Sequence, residues 1–416
     1  KELVAAKTDQ LFHKTETKLL EVLSKMELEG INLDTGFLKS LAIDLDKDIT
    51  NLETKIYKES GEEFNIASPK QLGVILFEKL QLVDKPKKTK TGQYSTAEDV
   101  LVALAKKHDI VDHILEYRSL SKLKSTYVDA LPSQINIKTN RIHTEYTQTV
   151  AATGRLSSNN PNLQNIPIRT ERGRLIRKAF IPRNEDYVLL AADYSQIELR
   201  IIAALSQEET MIAAFKEGQD IHAATAANIF NVQLNEITRE QRSNAKTVNF
   251  GIIYGVSAFG LSNQTNLKRS EAKALIDTYY ETYPKLKDYI QKQTAFAREN
   301  GYVETVLGRR RYLKDINSRN AVVRGASERN AVNAPIQGSA ADIIKIAMIN
   351  IADILKSQKL KSKMLLQVHD ELVFDAHKDE IDMLSKIIKH EMENAFKLSV
   401  PLVVEIGIGN NWLEAH

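Results

Sequence analysis

Two aspartates that lie far apart along the chain are the strongest candidates for catalytic chemistry. Asp193 comes directly after the apolar run 187–192, and Asp370 lies within the segment 367–372. Two carboxylates brought together repel each other unless a cation lies between them. Mg²⁺ prefers one or two carboxylates with phosphate oxygens and water, so this pair can hold ions that activate a hydroxyl and stabilise a leaving pyrophosphate. The alternative is that both are unrelated turn residues, since aspartate is common in turns.

A second candidate site is a row of residues at every fourth position between the two acids. Arg242, Lys246, Phe250 and Tyr254 fall on one face of a helix, and the capping box at 238–241 predicts where that helix starts. Arginine suits bidentate binding of a γ-phosphate, and lysine supplies a point charge nearer the α-phosphate. The two rings offer flat surfaces for a sugar and a base. The alternative is a solvated basic face with two core aromatic residues.

Polar side chains at Arg329, Asn333 and Gln337 repeat the same spacing, although Pro335 interrupts the pattern. Such a stripe suits the minor-groove edge of DNA, where every correct base pair presents N3 or O2 acceptors. The stretch 153–167 is also dense in hydrogen-bond donors that can position a phosphate backbone. Four arginines follow it closely and add to these donors of phosphate-backbone contacts, namely Arg169, Arg172, Arg174 and Arg177. An exposed helix face and a solvated loop are the alternatives for these two segments.

The composition restricts the class of protein without indicating a function. A chain of 416 residues exceeds what one hydrophobic core usually organises, so two or more packed units are expected. The net charge of +3 is small, so any nucleic-acid binding must depend on local patches. The absence of cysteine excludes disulfides, thiolate zinc sites and cysteine nucleophiles. Neither a long apolar run nor a signal peptide is found, so a soluble, unexported protein is expected.

The elements that must position these residues form a helical arm and an α+β body. Helices are predicted at 15–29, at 35–59 and from the capping box at 68–71 onward, with a basic loop at 85–92. The inward residues of the first helix are predicted to be Leu19, Leu20, Leu23 and Met26. Strands are predicted at 141–150, at 187–192, near 403–406, and as a hairpin over 363–375 with Asp370 at its turn. The segment 197–300 is predicted to be largely helical, which completes an α+β pattern.

The ordered motifs resemble those of one enzyme family. They are the segments 153–158, 161–167, 193–200, 242–255, 333–342 and 367–372. Together they make the chain similar to the polymerase module of bacterial family-A DNA polymerases from about residue 15 onward. The resemblance implies a right-hand fold with an antiparallel-sheet palm, helical fingers and a helical thumb. The implied division is a linker or remnant at 1–14, a thumb at 15–130, a palm at 131–205 and 327–416, and fingers at 206–326.

The resemblance also implies roles for the residues around the reaction centre. Asp193 and Asp370 would bind two Mg²⁺ ions, for which Mn²⁺ can substitute, with help from the Tyr194 carbonyl. Glu371 would support these ligands, and Lys246 would take part in catalysis.

The implied nucleotide-binding set is Arg242, Lys246, Phe250, Tyr254, His222, Gln196 and Glu198. Arg242 and Lys246 would bind the triphosphate. Glu198, held by Tyr254, would exclude a ribose 2′-hydroxyl, and Phe250 would pack on the sugar and disfavour dideoxynucleotides.

The implied primer–template contacts are Arg155, Asn162, Gln164, Asn165, Arg329, Asn333, Gln337 and His369. The implied activity is template-directed 5′→3′ DNA synthesis from dNTPs in replication and repair. A monomer in the bacterial cytoplasm and nucleoid is expected, without membrane association. No Asp-x-Glu exonuclease motif precedes the polymerase motifs, so no proofreading is expected from this chain.

Three other functions are alternatives to DNA synthesis. A single-subunit RNA polymerase of the phage type shares this palm, but Glu198 argues against it because an acid there should exclude ribonucleotides. A catalytically inactive DNA-binding relative is disfavoured by the intact acids and cationic row. A small-molecule phosphotransferase is disfavoured because no P-loop or kinase signature is found.

Overall fold

A four-stranded antiparallel sheet organises the computed structural model, which describes residues 2–105, 107–168, 170–265 and 267–416. Its strands lie in the order Val404–Gly409, Tyr187–Tyr194, Glu371–His377 and Lys363–Val368. Because side chains alternate along a strand, Leu190 and Ala192 pack into one core while Leu189 and Ala191 pack into another. The sheet therefore separates two hydrophobic cores, and the predicted α+β class is confirmed. Arg169, considered above as a backbone contact, lies outside the described residues.

The register of this sheet brings the two acidic segments together. Asp193 is paired with Glu371 across the ladder, and the Tyr194 N–H donates to the Asp370 carbonyl at 3.2 Å. The predicted hairpin is confirmed, with His369 and Asp370 at its turn and His369 in the left-handed region at a φ of 55°. The central strand continues past its predicted end because Asp193 and Tyr194 remain paired with the neighbouring strand Val404–Gly409.

The first third of the chain is mostly helical, as predicted. The α-helices are Glu2–Ala5, Asp9–Leu11, Thr17–Glu29, Thr35–Ser60, Pro69–Val74, Glu98–Ala105 and Asp109–Leu123. π-helical turns occur at Phe12–Glu16, Ile75–Lys79 and Lys124–Val128, and a 3₁₀ turn occurs at Leu131–Gln134. The expected linker at 1–14 is thus largely helical in the part that the structure describes.

Local capping explains two of these helix boundaries. Asp34 Oδ1 accepts from the Phe37 N–H at 2.8 Å at the start of Thr35–Ser60, and Gly61 ends that helix with a φ of 73°. Only half of the capping box predicted at 68–71 forms, because the Gln71 side chain accepts from Asn65 instead.

The inward face predicted for the helix at 15–29 is wrong at one position. Leu20 is 58% exposed, whereas Val22 is buried with Leu19, Leu23 and Met26. The buried positions are spaced by three, one and three residues, which is the spacing of a single helix face. Leu20 lies one position outside that face.

The segment from 197 to 300 is largely helical, which confirms the prediction. Its helices are Ile197–Ser206, Glu209–Lys216, Ile221–Phe230, Arg239–Ile253, Ala258–Gln264, Arg269–Thr282 and Pro284–Asn300, with a short turn at Leu234–Glu236. A small antiparallel pair, Tyr302–Glu304 with Arg310–Tyr312, follows them. Among the described helices, none combines the length and apolarity needed to cross a bilayer.

One long helix, Ala321–Ser357, carries the polar row at 329–337. Pro335 was predicted to interrupt the row, but the helix continues through it. Ala334, Pro335 and Ile336 are all buried, so packing on the core compensates for the backbone hydrogen bond that proline removes.

The remaining elements complete both sides of the sheet. They are the paired strands Asn32–Leu33 and Phe180–Ile181, the paired strands Glu145–Thr147 and Ser157–Asn159, the turns Leu163–Asn165 and Lys378–Glu380, and the helices Glu171–Lys178, Ile381–Glu393 and Trp412–Ala415. The strand predicted at 141–150 is therefore shorter than expected. Gln148 leaves the strand, and its side chain donates to the Glu16 carbonyl.

A cluster of ion pairs connects three distant parts of the chain. Glu16, at the start of the helical arm, contacts Arg309 and Lys345, with Lys345 Nζ at 2.8 Å. Arg309 also lies 2.6 Å from Asp342 on the long helix. Lys345 is only 1% exposed, so the cluster fixes the arm against the body from the inside.

Candidate active site

The two candidate acids lie close enough for the charge of Asp370 to affect the ionisation of Asp193. Burial, together with the charges of Glu371 and Asp370, raises the pKa of Asp193 to about 7. Burial also raises the pKa of Asp370 to about 6, although Arg155 opposes the change. Carboxylates in this situation are stabilised by a cation between them. Within the described residues, no three histidine, cysteine or acidic side chains are grouped closely enough to hold a metal ion. The candidate metal centre consists of Asp193 and Asp370 alone.

Glu371 neighbours this pair, but its carboxylate is already engaged. Oε1 accepts from Trp412 Nε1 at 3.0 Å and lies 3.2 Å from His416 Nδ1, and Oε2 lies 3.4 Å from Arg177. The Arg177 guanidinium in turn stacks over the Trp412 ring at 4.1 Å. Glu371 is therefore held in place by protein groups, which suits a supporting role better than direct metal ligation.

Glu198 lies between the two acids and the helix Arg239–Ile253, which carries the predicted cationic row and is called the cationic helix below. Its carboxylate accepts from Arg155 Nη2 at 2.5 Å and from the Tyr254 hydroxyl at 2.8 Å. Burial raises the pKa of Tyr254 to about 12, with a further contribution from the Glu198 charge. Arg155 and Glu198 both act electrostatically on Asp370. A polar path thus runs from Tyr254 through Glu198 and Arg155 to the cavity that Asp370 lines.

The cationic helix Arg239–Ile253 presents its predicted row to an open cleft. Thr238 and Gln241 form the predicted capping box at its start. Lys246, Phe250 and Tyr254 line a cleft of about 640 Å³ together with Arg329. Phe250 is half-buried and packs against the hydrophobic core, whereas Tyr254 is 43% exposed. Only Tyr254 therefore departs from the two core aromatic residues of the alternative interpretation.

Arg242 does not line that cleft and is paired with Asp220. Arg242 Nη2 and Nε lie 2.6 Å and 2.8 Å from Asp220 Oδ2. Asp220 Oδ1 also accepts from the backbone N–H groups of His222 and Ala223, which caps the helix Ile221–Phe230. Sequence reasoning missed Asp220 because its partner lies on another helix.

His222 lies beneath the cationic row and is almost fully buried. Its ring centroid is 5.6 Å from that of Phe250. Burial, together with the charges of Lys246 and Arg242 and against the opposing charge of Asp220, lowers the pKa of His222 to about 4. The imidazole is therefore neutral near pH 7.

Comparison with known proteins agrees with this geometry. The sequence profile described as DNA polymerase family A matches residues 35–414. The chain belongs to DNA polymerase family A. It is 51% identical over 404 residues to the "DNA polymerase I" of Caldicellulosiruptor bescii, covering 97% of this chain and 47% of that protein. It is 50% identical over 406 residues to the "DNA polymerase I" of Bacillus subtilis, covering 98% of this chain and 46% of that protein. The chain thus spans less than half the length of these relatives.

A solved structure shows the same fold. It is described as the POL domain of Pol1 from M. smegmatis in complex with DNA primer-template and dNTP, and it superposes with a TM-score of 0.94 at 45% identity. The match covers 100% of this chain and 73% of that one. The right-hand polymerase fold, with an antiparallel-sheet palm and helical fingers and thumb, is thereby confirmed for this family-A chain.

Several predicted DNA contacts of this family-A chain surround Asp370. Arg155, Gln164 and His369 line a cavity of about 270 Å³ together with Asp370. Lys345, which sequence reasoning missed, lines the same cavity.

The other predicted contacts lie on different surfaces. Asn162 and Asn165 are exposed, and Asn162 Oδ1 accepts from the Gln164 N–H in a local turn. Asn333 Oδ1 is buried without a hydrogen-bond partner among the described residues, while Gln337 is half-buried on the same helix. Gln196, which was predicted to contact the nucleotide rather than DNA, adopts a left-handed φ of 55° where the helix Ile197–Ser206 begins.

The arginines that follow the donor-rich stretch do not all face solvent. Arg177 is buried against Glu371 and Trp412, so its predicted contact with a phosphate backbone is wrong. Arg172 is 2.6 Å from Asp48 at the surface. Trp412 is the only tryptophan in the chain, and that rarity was the one signal that could have indicated its structural role.

Proposed function

We propose that this chain catalyses template-directed 5′→3′ DNA synthesis, extending a primer with dNTPs by nucleotidyl transfer. The observation that carries the proposal is the polar path from the cavity that Asp370 lines through Arg155 and Glu198 to Tyr254 on the cationic helix. It joins a candidate metal centre to a candidate triphosphate site. Support also comes from the M. smegmatis POL domain, which was solved with DNA primer-template and dNTP.

Asp193 and Asp370, with the Tyr194 carbonyl, are the proposed ligands of two Mg²⁺ ions, for which Mn²⁺ can substitute. The fit rests on two buried acids, of which Asp370 raises the pKa of Asp193, so that a cation between them is favoured. Bound ions would lower the pKa of the primer 3′-hydroxyl and stabilise the leaving pyrophosphate. Glu371, held by Trp412, would keep the turn that carries Asp370 in place.

The proposed triphosphate site is formed by Arg242 and Lys246, with His222 and Gln196 as further contacts. Arg242 would exchange Asp220 for phosphate oxygens, which offer the same acceptor geometry with more charge. Lys246 would offset the negative charge that develops near the α-phosphate, which is its proposed catalytic role.

Selection of the sugar is assigned to Glu198, Tyr254 and Phe250. Glu198 is only 6% exposed and is held by hydrogen bonds on both oxygens, so it cannot move aside without breaking them. A ribose 2′-hydroxyl would collide with this fixed carboxylate. Phe250 would pack on the sugar and disfavour dideoxynucleotides.

The primer–template is proposed to bind along the palm and the thumb. The contacts are Arg155, Asn162, Gln164, Asn165, Arg329, Asn333, Gln337 and His369. The thumb is assigned to 15–130, the palm to 131–205 and 327–416, and the fingers to 206–326. We assign the activity to replication and repair, by a monomer in the bacterial cytoplasm and nucleoid.

Primer extension with purified protein tests the proposal. Asp370→Ala should abolish incorporation in the presence of Mg²⁺, while binding of a primer–template duplex persists. Asp379→Ala, which removes an acid that is 85% exposed, is the matched control and should extend primers normally. Unchanged extension by Asp370→Ala would refute the proposal.

The same assay separates the two main alternatives. An RNA polymerase would incorporate rNTPs in preference to dNTPs. An inactive DNA-binding relative would bind duplex but extend no primer with either nucleotide.

A further inference from the structure

A buried hydrogen-bond network that includes His222 lies behind the cationic helix Arg239–Ile253. Asn249 Nδ2 lies 3.1 Å from His222 Nδ1 and 3.1 Å from Thr225 Oγ1. The Tyr279 hydroxyl donates to Asn249 Oδ1 at 3.0 Å, and the Tyr283 hydroxyl donates to Thr225 Oγ1 at 3.1 Å. Asn249 and Thr225 are completely buried, and Tyr279 and Tyr283 are 1% exposed. The contacts of these groups are therefore set by one another rather than by solvent.

The network fixes which way the Asn249 amide points. If the amide were reversed, its nitrogen would face Tyr279 and the tyrosine hydroxyl would have no acceptor among the described residues. Leaving a buried donor unsatisfied costs on the order of 1–3 kcal/mol. With the amide as found, Tyr279 donates to Oδ1 and the amide N–H donates to His222.

The direction of that hydrogen bond decides where His222 carries its proton. A neutral imidazole has one donor and one acceptor nitrogen, and the bond made by one nitrogen sets the state of the other. Because Nδ1 accepts from Asn249, the proton must lie on Nε2. Among the described residues Nε2 has no hydrogen-bond partner, and it is not one of the fully buried unsatisfied atoms. The Nε2–H group is therefore free to donate to a ligand.

We propose that Asn249 is a positioning residue that holds His222 as the Nε2–H tautomer, so that this group donates a hydrogen bond to a phosphate oxygen of the incoming dNTP. This inference rests on the proposed function, which places the triphosphate against Arg242 and Lys246. Asp220, which pairs with Arg242, also accepts from the His222 backbone N–H, and the His222 ring centroid lies 5.6 Å from that of Phe250. His222 therefore lies against the part of the row that spans Arg242 to Phe250. A neutral donor adds a directional contact there without adding a third positive charge.

The tautomer can be measured without any nucleotide. Long-range ¹H–¹⁵N spectra of protein labelled at histidine nitrogen distinguish a protonated ring nitrogen from an unprotonated one. His222→Ala identifies the His222 signals among those of the nine histidines. The expected result for the unmodified chain is an unprotonated Nδ1 and a protonated Nε2 near pH 7.

Asn249→Asp is the decisive variant because it keeps size and shape but replaces the N–H donor with an acceptor. Tyr279 can still donate to the new carboxylate, so the network remains satisfied. The variant should place a proton on Nδ1. Tyr283→Phe is the matched control, since it removes a hydroxyl from the same network without touching His222 or Asn249, and its His222 spectrum should equal that of the unmodified chain.

Primer-extension kinetics supply the second measurement. At pH 8, Asn249→Asp should raise the KM for dNTP on the order of tenfold, as expected for losing a hydrogen bond to a charged group. The increase should shrink toward pH 6, where the new carboxylate promotes a doubly protonated ring that regains the Nε2–H donor. The charged groups acting on this ring are Asp220, Lys246 and Arg242, and none of them is altered by the variant. In a His222→Ala background, Asn249→Asp should change the KM less than twofold.

Three results would overturn the inference. They are a protonated Nδ1 in the unmodified chain, an unprotonated Nδ1 in Asn249→Asp, or an equal loss of dNTP affinity with and without His222. If the unmodified chain failed to extend primers, the proposed function would fall, while the ring spectra would still decide the tautomer.

Discussion

Arg242 lies 2.6 Å from Asp220 through Nη2, and its Nε donates to the same carboxylate oxygen at 2.8 Å. The side chains are 46% and 39% exposed, and exposed pairs of this kind contribute at most about 1 kcal/mol. The pairing is therefore weak enough for a triphosphate to displace. In the proposed function, Asp220 would compete with the nucleotide for the same guanidinium.

Asp220→Asn is expected to lower the KM for dNTP. Asparagine caps helices as well as aspartate does, so the helix Ile221–Phe230 should stay intact while the competing charge is lost. An ion pair of at most about 1 kcal/mol limits the gain to about fivefold. Steady-state primer extension measures it, with thermal unfolding as the check that the cap survives. An increase in KM would instead show that Asp220 orients Arg242 productively.

Glu198→Ala is expected to relax discrimination against ribonucleotides. Removing the carboxylate opens the space that a 2′-hydroxyl would occupy, and steric exclusion of this kind is worth on the order of 10–200-fold. The measurement is the ratio of kcat/KM for rNTP to that for dNTP. Tyr254→Phe is the comparison, because it removes one hydrogen bond to Glu198 but leaves the carboxylate, so its ratio should change less. An unaltered ratio in Glu198→Ala would contradict the assignment of Glu198 to the exclusion of ribonucleotides.

Asp193→Asn is expected to stabilise the protein when divalent cations are removed by a chelator. The pKa of Asp193 in the folded chain, about 7, lies above its ordinary value of 3.8. Ionisation therefore penalises folding fully above pH 7, and the penalty vanishes as the pH falls toward 4. The variant should unfold a few degrees higher at pH 8, with a gain that declines on acidification. A gain that grows at low pH would have the wrong sign for this explanation.

Glu16→Gln is expected to destabilise the folded chain strongly. The variant leaves Lys345, which is 1% exposed, and Arg309 without their shared carboxylate. Removing one partner from a buried ion pair costs about 3–5 kcal/mol. Glu21→Gln is the matched control, because Glu21 also contacts two lysines, Lys25 and Lys356, but at the surface. Chemical denaturation should show a large loss for the first variant and little for the second.

The same cluster predicts how stability responds to acid. Burial alone would raise the pKa of Glu16, but Lys345 and Arg309 reverse this and hold it below the ordinary value of 4.5. A lowered pKa means that the stabilisation is present above pH 4.5 and is lost as the pH falls below it. The unmodified chain and Glu16→Gln should therefore converge in stability only below pH 4.5. Convergence already at pH 6 would exclude Glu16 as the source.

Local signals in the sequence predicted the elements that position the site. The hairpin around Asp370, the capped helix with its cationic row and the apolar strand before Asp193 all depend on neighbouring residues, and all three form. Pairings between distant segments could not be predicted in this way. Asp220 with Arg242, Glu371 with Trp412, and Glu16 with Lys345 each join residues whose proximity depends on tertiary packing. The predictions that Leu20 is buried and that Pro335 interrupts its row were wrong for the same reason. Packing against the neighbouring core decides which helix face is buried and whether the helix continues through a proline.

The pairing of Asp193 with Glu371 has a consequence for how the protein loses activity on heating. In a sheet, a shift of one residue sends every side chain of a strand to the opposite face, so Asp193 cannot drift away from Asp370 by small steps. The strand that carries it has a neighbour on each side, and it cannot fray as an edge strand can. The distance between the two acids therefore persists until the palm sheet unfolds as one cooperative unit.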